Sequence, residues 1–396
     1  MLTGGFGPFS RADLTGLLGA LVASDHRRML SATLHDVQYR AGHYYVIAEV
    51  SAHHDGGVGQ FYYGLTTAPV PSEARGYATK LHDYNIFAWE HPHDPLLPGL
   101  TLAATPAQVR QHFAPDRELT ALHTVIYRPM NRAVFKARLT PQTPAGLGET
   151  LYLKVLRPGI AQTLYNIHLT LGAAGVPVVP PIAPPVADVL TLAGGQGMPL
   201  GELARTEGVV TRFDARQLID LLDRFPREIL HYPHRASWAD RYQEFIQSAH
   251  QAMPEEYARL GQLAYRFDQA HQQLDLGPVV PTHGDLYEAH ILVDPVTGEI
   301  RQILDVDGAG PGYRVDDYAC LIGHVAVLGY AQNPQWGWQT AMRFFGQLAP
   351  YTNPHTLAVR SAAVVVSLIP GYQPDEQTRA RGQRYLRVVE ALLELA

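Results

Sequence analysis

The chain has 396 residues, 46% of them hydrophobic and 17% charged, enough for a core of two or three lobes and unlike a disordered chain. A net charge of −6, a pI near 6.3 and no basic stripe argue against nucleic acid or an anionic membrane surface as partner. Cys320 is the only cysteine, which excludes an internal disulfide and a thiolate zinc site. The start of the chain lacks a signal pattern, and no apolar run reaches the ~20 residues that cross a bilayer, so a soluble cytoplasmic protein is expected.

In chain order, leucines at helical spacing predict a helix from Arg11 to Ala23, with Ser10 as its cap. Strands follow at Val37–Arg40, Tyr44–Val50 and Phe61–Tyr63. Residues 66–115 are proline-rich and irregular until Thr105-Pro106 opens a short helix. A second set of strands then repeats the first. Val37 to Val46 lies over Val125 to Val134, and Phe61 to Leu65 over Leu151 to Val155, which puts Gly64 opposite Lys154. Lys154 is the one lysine of a strong strand, ahead of a helix from about Ile160 to Ala174 that carries no acid. Two strands are expected between Gly175 and Leu192, then a glycine-rich hinge. Helices follow at Pro199–Glu207, Asp214–Leu222, Trp238–Ala252 and Pro254–Gln272. The tail is expected to be helical at Asp317–Gly329, Gly337–Leu348, His355–Leu368 and Pro374–Leu393.

Between those helical blocks lies the most informative stretch. It reads His283-Gly284-Asp285-Leu286-Tyr287-Glu288-Ala289-His290, then Ile291-Leu292-Val293, the turn Asp294 to Gly298, and Ile303-Leu304-Asp305-Val306-Asp307. Turn chemistry between two runs of β-formers predicts a hairpin. Folding it brings His290 and Asp305 to one open end, near Asp285. Two carboxylates and an imidazole gathered there need a cation, a proton or a hydrogen-bond network to offset their repulsion.

This stretch resembles the catalytic core of the aminoglycoside phosphotransferase-like kinases, the aminoglycoside phosphotransferase and choline kinase group related to protein kinases. The family pattern runs His-Gly-Asp, a polar residue, a short hairpin, an aliphatic-Asp strand, and Gly-x-x-x-Asp-Asp-x-Ala opening a helix. The resemblance implies that Asp285 is the catalytic base and Asp305 the magnesium ligand, with His290 or Asp307 assisting, and that Asp317 is structural. His290 stands where the family has asparagine, and Tyr313-Arg314 replaces an Asp-Pro pair; Glu288 inside the loop has no assigned role. By the same resemblance Lys154 contacts the nucleotide phosphates. The phosphate-covering loop falls at Arg128 to Arg132, without glycine, where Arg128 is a charged substitute or merely an exposed arginine. Leu192 and Ala193 are the hinge positions for adenine. The implied fold is α+β and bilobal, protein-kinase-like, with a β-rich N-lobe at 116–198, a helical C-lobe at 199–396 and an extra N-terminal α/β cap module at 1–115.

Other candidates carry less. His53-His54-Asp55 and His91-Pro92-His93-Asp94 read as solvated loop residues rather than a metal site. Gly194–Gly197 and Gly308–Gly312 lack dinucleotide-loop spacing. Neither a Gly-x-Ser-x-Gly elbow nor a P-loop occurs. Trp238 reads as a core tryptophan, with the border of an acceptor pocket as the alternative. The expected function is transfer of the γ-phosphate of ATP (or GTP), with Mg2+, to a hydroxyl of a small molecule of the aminoglycoside or antibiotic kind. Two alternatives stay open. The cap's placement resembles that of maltokinase-like sugar kinases, and the departures at His290, at the glycine-free loop and on the acid-free helix suit a pseudokinase-like binding protein. The oligomeric state is not legible.

Overall fold

The computed structural model describes residues 11–40, 42–77, 79–81, 86–141, 149–328, 334–369 and 376–396. The expected cap Ser10 and the outer ends of two expected tail helices, Gly329 and Pro374, lie outside them. The chain divides into two compact units, Met1–Tyr165 with Pro181–Gly194, and Asn166–Pro180 with Gly195–Ala396. The first is β-rich and the second helical, as the α+β class requires.

The first unit holds two antiparallel sheets. One is ordered β1 (Arg28–Arg40), β2 (His43–His54), β3 (Gly57–Thr66), β5 (Ile86–Glu90) and β4 (Thr79–Leu81). Helix α1 (Arg11–Ser24) closes its inner face. On β2 every second residue, Val46, Ala48, Val50 and Ala52, is buried against Leu14, Leu17, Leu18, Leu21 and Val22 of that helix. Past α2 (Leu100–Ala103) and α3 (Pro106–Phe113) comes the second sheet, β6 (Leu119–Arg128), β7 (Arg132–Leu139), β8 (Glu149–Val155) and β9 (Val189–Ala193). Its Ala133, Phe135, Ala137, Leu151 and Leu153 face Leu97, Leu100, Ala103 and Val109. Pro106 opens α3, as expected. The second sheet is thus a helix-backed meander, and the first keeps chain order to β3, after which β5 lies between β3 and the edge strand β4.

The register of the repeat differs from the sequence overlay. Arg40 pairs with His43, and Arg128 pairs with Arg132 across a turn one residue longer. Two residues on, Tyr45 pairs with Thr66 and Val134 with Lys154. Thr66, not Gly64, therefore occupies the position of Lys154. Gly64 is glycine for another reason: the Trp89 indole of β5 lies where its Cβ would be.

The two sheets are bolted together at the β6–β7 turn. Asp94, only 2% exposed, accepts hydrogen bonds from the Met130 amide at 2.8 Å, the Tyr127 hydroxyl at 2.7 Å and the Leu96 amide at 2.9 Å. Arg40 donates to the Pro129 carbonyl and Arg157 to that of Met130. Met130 adopts φ 58° and is buried with Phe87, Trp89, Val70 and Ala74. The expectation of solvated loop residues thus fails at Asp94, and at His91, whose pKa burial pulls down to about 4.

In the second unit, residues 175–181 form isolated bridges rather than the expected strand, because Pro177, Pro180 and Pro181 have no N–H to give a ladder. Helix α4 (Ile160–Ala173) joins the units in sequence. Met198–Pro199 (β10), Ile291–Val293 (β12) and Ile300–Ile303 (β13) form one small sheet, and Val279–Thr282 (β11) pairs with Gly310–Tyr313 (β14). Around them stand α5 (Leu200–Glu207), α6 (Gln217–Asp223), α7 (Tyr242–Ala252), α8 (Tyr257–His271), α9 (Arg314–Ala326), α10 (Pro334–Leu348), α11 (Pro354–Ser367) and α12 (Glu376–Leu393). Helices α9 and α10 start three residues earlier than expected, at Arg314 and Pro334, and three other starts move later. Helix α6 begins late because the Asp214 carboxylate takes the Arg216 amide in a turn. Helices α7 and α8 are each preceded by a one-turn 3-10 segment, Ala239–Arg241 and Pro254–Glu256.

Candidate active site

The hairpin forms as its residue types dictate. Ile291 pairs with Ile303, and Asp294 caps the turn by accepting from the amides of Val296 and Thr297. A further bond, from the Leu304 amide to the His290 carbonyl at 2.8 Å, extends the ladder and sets His290 beside Asp305.

The loop before it, His283 to His290, is held by backbone contacts. Asp317, near the start of α9, is 1% exposed and accepts from the amides of His283 and Gly284, both at 2.9 Å. Burial raises its pKa to about 6 against the lowering effect of those two donors. Gly284 has φ 79°, and a Cβ there would collide with the Gly308 carbonyl. His283 is fully buried; its Nε2–H donates to the Leu304 carbonyl and its Nδ1 accepts from the Asp285 amide. Burial lowers its pKa to about 4, consistent with a neutral ring.

Asp285, His290 and Asp305 meet: one ligand atom from each lies within 4.8 Å of the others. His290 Nδ1 contacts the Asp285 carbonyl at 2.9 Å, and a carbonyl only accepts, so Nδ1 carries the proton. The Nε2 of His290 lies 3.6 Å from Asp305 Oδ2. A cation or a proton held among the three groups would offset the repulsion of the two carboxylates. Asp305 sits at φ 56°, a left-handed conformation costing about 1 kcal/mol or more outside glycine.

Asp307, expected to assist, lies in the one-turn 3-10 segment Val306–Gly308 and is not in this group. Lys154 on β8, Leu192 and Ala193 on β9 and Arg128 at the end of β6 belong to the first unit. Leu192 pairs with Tyr152 and Ala193 with Leu151.

The core reading preferred for Trp238 fails. It is no core residue: 37% exposed, it donates its indole N–H to Asp285 Oδ1 at 2.8 Å. A signal was present in Ser237-Trp238-Ala239-Asp240, a capping-box pattern with the tryptophan inside it. Arg360 was missed, a lone charge in an apolar helix. It is 1% exposed and bridges Ser237, Asp240 and Asp316, each at 2.7 Å. Glu288 has Oε2 buried without a hydrogen-bond partner, and burial raises its pKa to about 7.

Residues 165–344 match the profile of the phosphotransferase enzyme family. The match takes in Asp285, His290, Asp305 and Asp317, and begins after Lys154. Similar solved structures include an aminoglycoside-3'-phosphotransferase of type VIII (18% identity, 67% of this chain, 98% of that one, TM-score 0.45). A choline/ethanolamine kinase family protein from Mesorhizobium loti is also similar (16%, 74% and 92%, TM-score 0.44). So is a choline kinase from Streptococcus pneumoniae (12%, 72% and 97%, TM-score 0.46). A comparison with curated proteins gives no match. Residues 165–344 thus carry the sequence pattern of phosphotransferases.

Proposed function

We propose that this phosphotransferase transfers the γ-phosphoryl group of ATP to a hydroxyl of a small molecule, with Asp285 as base. One observation carries the reading: the Asp285–His290–Asp305 cluster, with His290 Nε2 3.6 Å from Asp305 Oδ2. Its donor set of two carboxylates and one imidazole fits a divalent cation, oxygen-rich enough for Mg2+ and with one nitrogen more than that ion prefers. Asp305 and His290 would hold the ion, which when bound supplies positive charge to the nucleotide phosphates. Asp285 Oδ1 is engaged by Trp238. Oδ2 is then the oxygen that orients the acceptor hydroxyl and takes its proton as the oxygen attacks phosphorus and ADP leaves. Lys154 is assigned to the phosphates, with Arg128 as a further charge, and the Leu192–Ala193 backbone to adenine. These roles rest on the resemblance.

The test is acceptor-dependent ADP release across a library of hydroxyl compounds, together with thermal shift by ATP and magnesium. Asp285→Ala is expected to lower transfer by about 10³-fold while leaving the nucleotide shift in place. Equal activity in that variant refutes the role of Asp285. No shift with any nucleotide and no turnover would instead favour a protein that binds without catalysing.

A further inference from the structure

The segment Pro233–Trp238 lies directly against the catalytic residues. A Cβ on Gly310 would meet the Pro233 carbonyl at 2.9 Å, and one on Gly308 would meet Arg235 Nη1 at 3.4 Å. Gly310 thus leaves room for Pro233, while a Cβ on Gly308 or Gly312 would lie nearest the His283 carbonyl or the Thr282 side chain. Trp238 is held from both sides. Ser237 N–H donates to Asp240 Oδ2 at 2.9 Å, and the buried Arg360 fastens Ser237 and Asp240 to Asp316 of α9. A tryptophan on so rigid a mount, a third exposed, with its N–H spent on the catalytic carboxylate, is not packed for the core's sake.

The charges around it are selective too. Asp240 and Asp316 are engaged by Arg360, Glu244 by Arg241, and Asp268 by the Tyr242 hydroxyl. Arg235 has no carboxylate in ion-pair reach among the described residues. Among the described residues, the four carboxylates beside Trp238 are thus each already engaged, by arginine or by a tyrosine hydroxyl. The Trp238 indole has Phe245 at 6.0 Å and the Arg241 guanidinium at 6.0 Å, a cation already beside it, so what it can add is a neutral ring with hydroxyls for the N–H donors.

Resting on the phosphotransferase reading, we infer that Trp238 is a positioning and specificity residue. It holds Asp285 Oδ1 so that Oδ2 faces the acceptor, and it offers its indole to an uncharged, hydroxyl-bearing ring. The two roles separate by mutation. Trp238→Phe keeps the ring and loses the N–H, so kcat is expected to fall about tenfold with acceptor KM nearly unchanged. Trp238→Ala loses both, so acceptor KM is expected to rise about tenfold as well, with ATP KM unchanged in either variant.

The measurement uses the full chain with ATP and magnesium on neutral mono- and disaccharides, an amino-sugar antibiotic and choline, with melting temperatures confirming that both variants fold. Preference for a neutral ring, together with that split in KM and kcat, supports the inference. Wild-type kcat/KM in Trp238→Ala overturns it, as does preference for a cationic acceptor over every neutral one. Absence of both nucleotide binding and transfer removes the phosphotransferase reading itself, and the inference with it.

Discussion

Glu288 is a buried carboxyl in the second unit. Its Oε2 is buried without a hydrogen-bond partner, and His324 Nδ1 is 4.0 Å away. Burial holds the His324 pKa near 4, so the ring is neutral at physiological pH and makes no ion pair with the carboxylate. The folded pKa of Glu288 is raised from 4.5 to about 7, so the native state keeps its proton where the unfolded chain has lost it. The stabilising effect of that retained proton is complete below the unfolded value and disappears as pH rises through about 7. Glu288→Gln is neutral throughout. Its stability relative to the natural chain is expected to rise by up to roughly 3 kcal/mol between about pH 5 and about pH 8. Urea midpoints at the two pH values measure this; a difference that stays flat or falls contradicts the burial argument.

At the scale of elements, the β6–β7 turn shows how a loop without glycine becomes well defined. Met130 takes a left-handed φ because its amide is tied to Asp94 and its side chain is buried between Phe87 and Trp89. Asp94→Ala would leave that amide and the Tyr127 hydroxyl without their acceptor. The expected loss is roughly 3 kcal/mol, read from the melting temperature, with faster hydrogen exchange at Met130 than elsewhere on β6 and β7. Unchanged exchange there would mean the turn is held by its own strands. Arg360 follows the same logic in the other unit, where one buried guanidinium fixes the 3-10 turn carrying Trp238.

Over the whole molecule, the N-terminal 115 residues are no detachable appendage of the second sheet. Leu97, Leu100, Ala103 and Val109 form one core with Phe135, Leu151 and Leu153. Deleting residues 1–115 strips one side of that core. The remaining 116–396 are expected to lose strand signal in circular dichroism and to be cut by protease within β6–β8. A truncated chain as resistant as the full one would show that the second sheet stands alone.

The hairpin and the meeting of His290 with Asp305 were legible in the residues because they depend on local rules: turn formers between β-formers, and a count of residues on each strand. Cys320 in the core was legible from its apolar run in the same way, and it is 3% exposed. The strand register of the repeat was not, because one extra residue in a turn slips every pair beyond it without changing the pattern of residue types. Trp238 on Asp285, and Asp94 beneath Met130, join residues 47 and 36 apart. Composition and spacing carry no information about which buried donor meets which acceptor at such distances. Only the packed chain decides that, since a polar group taken from water keeps its place by finding the one partner the fold brings within reach.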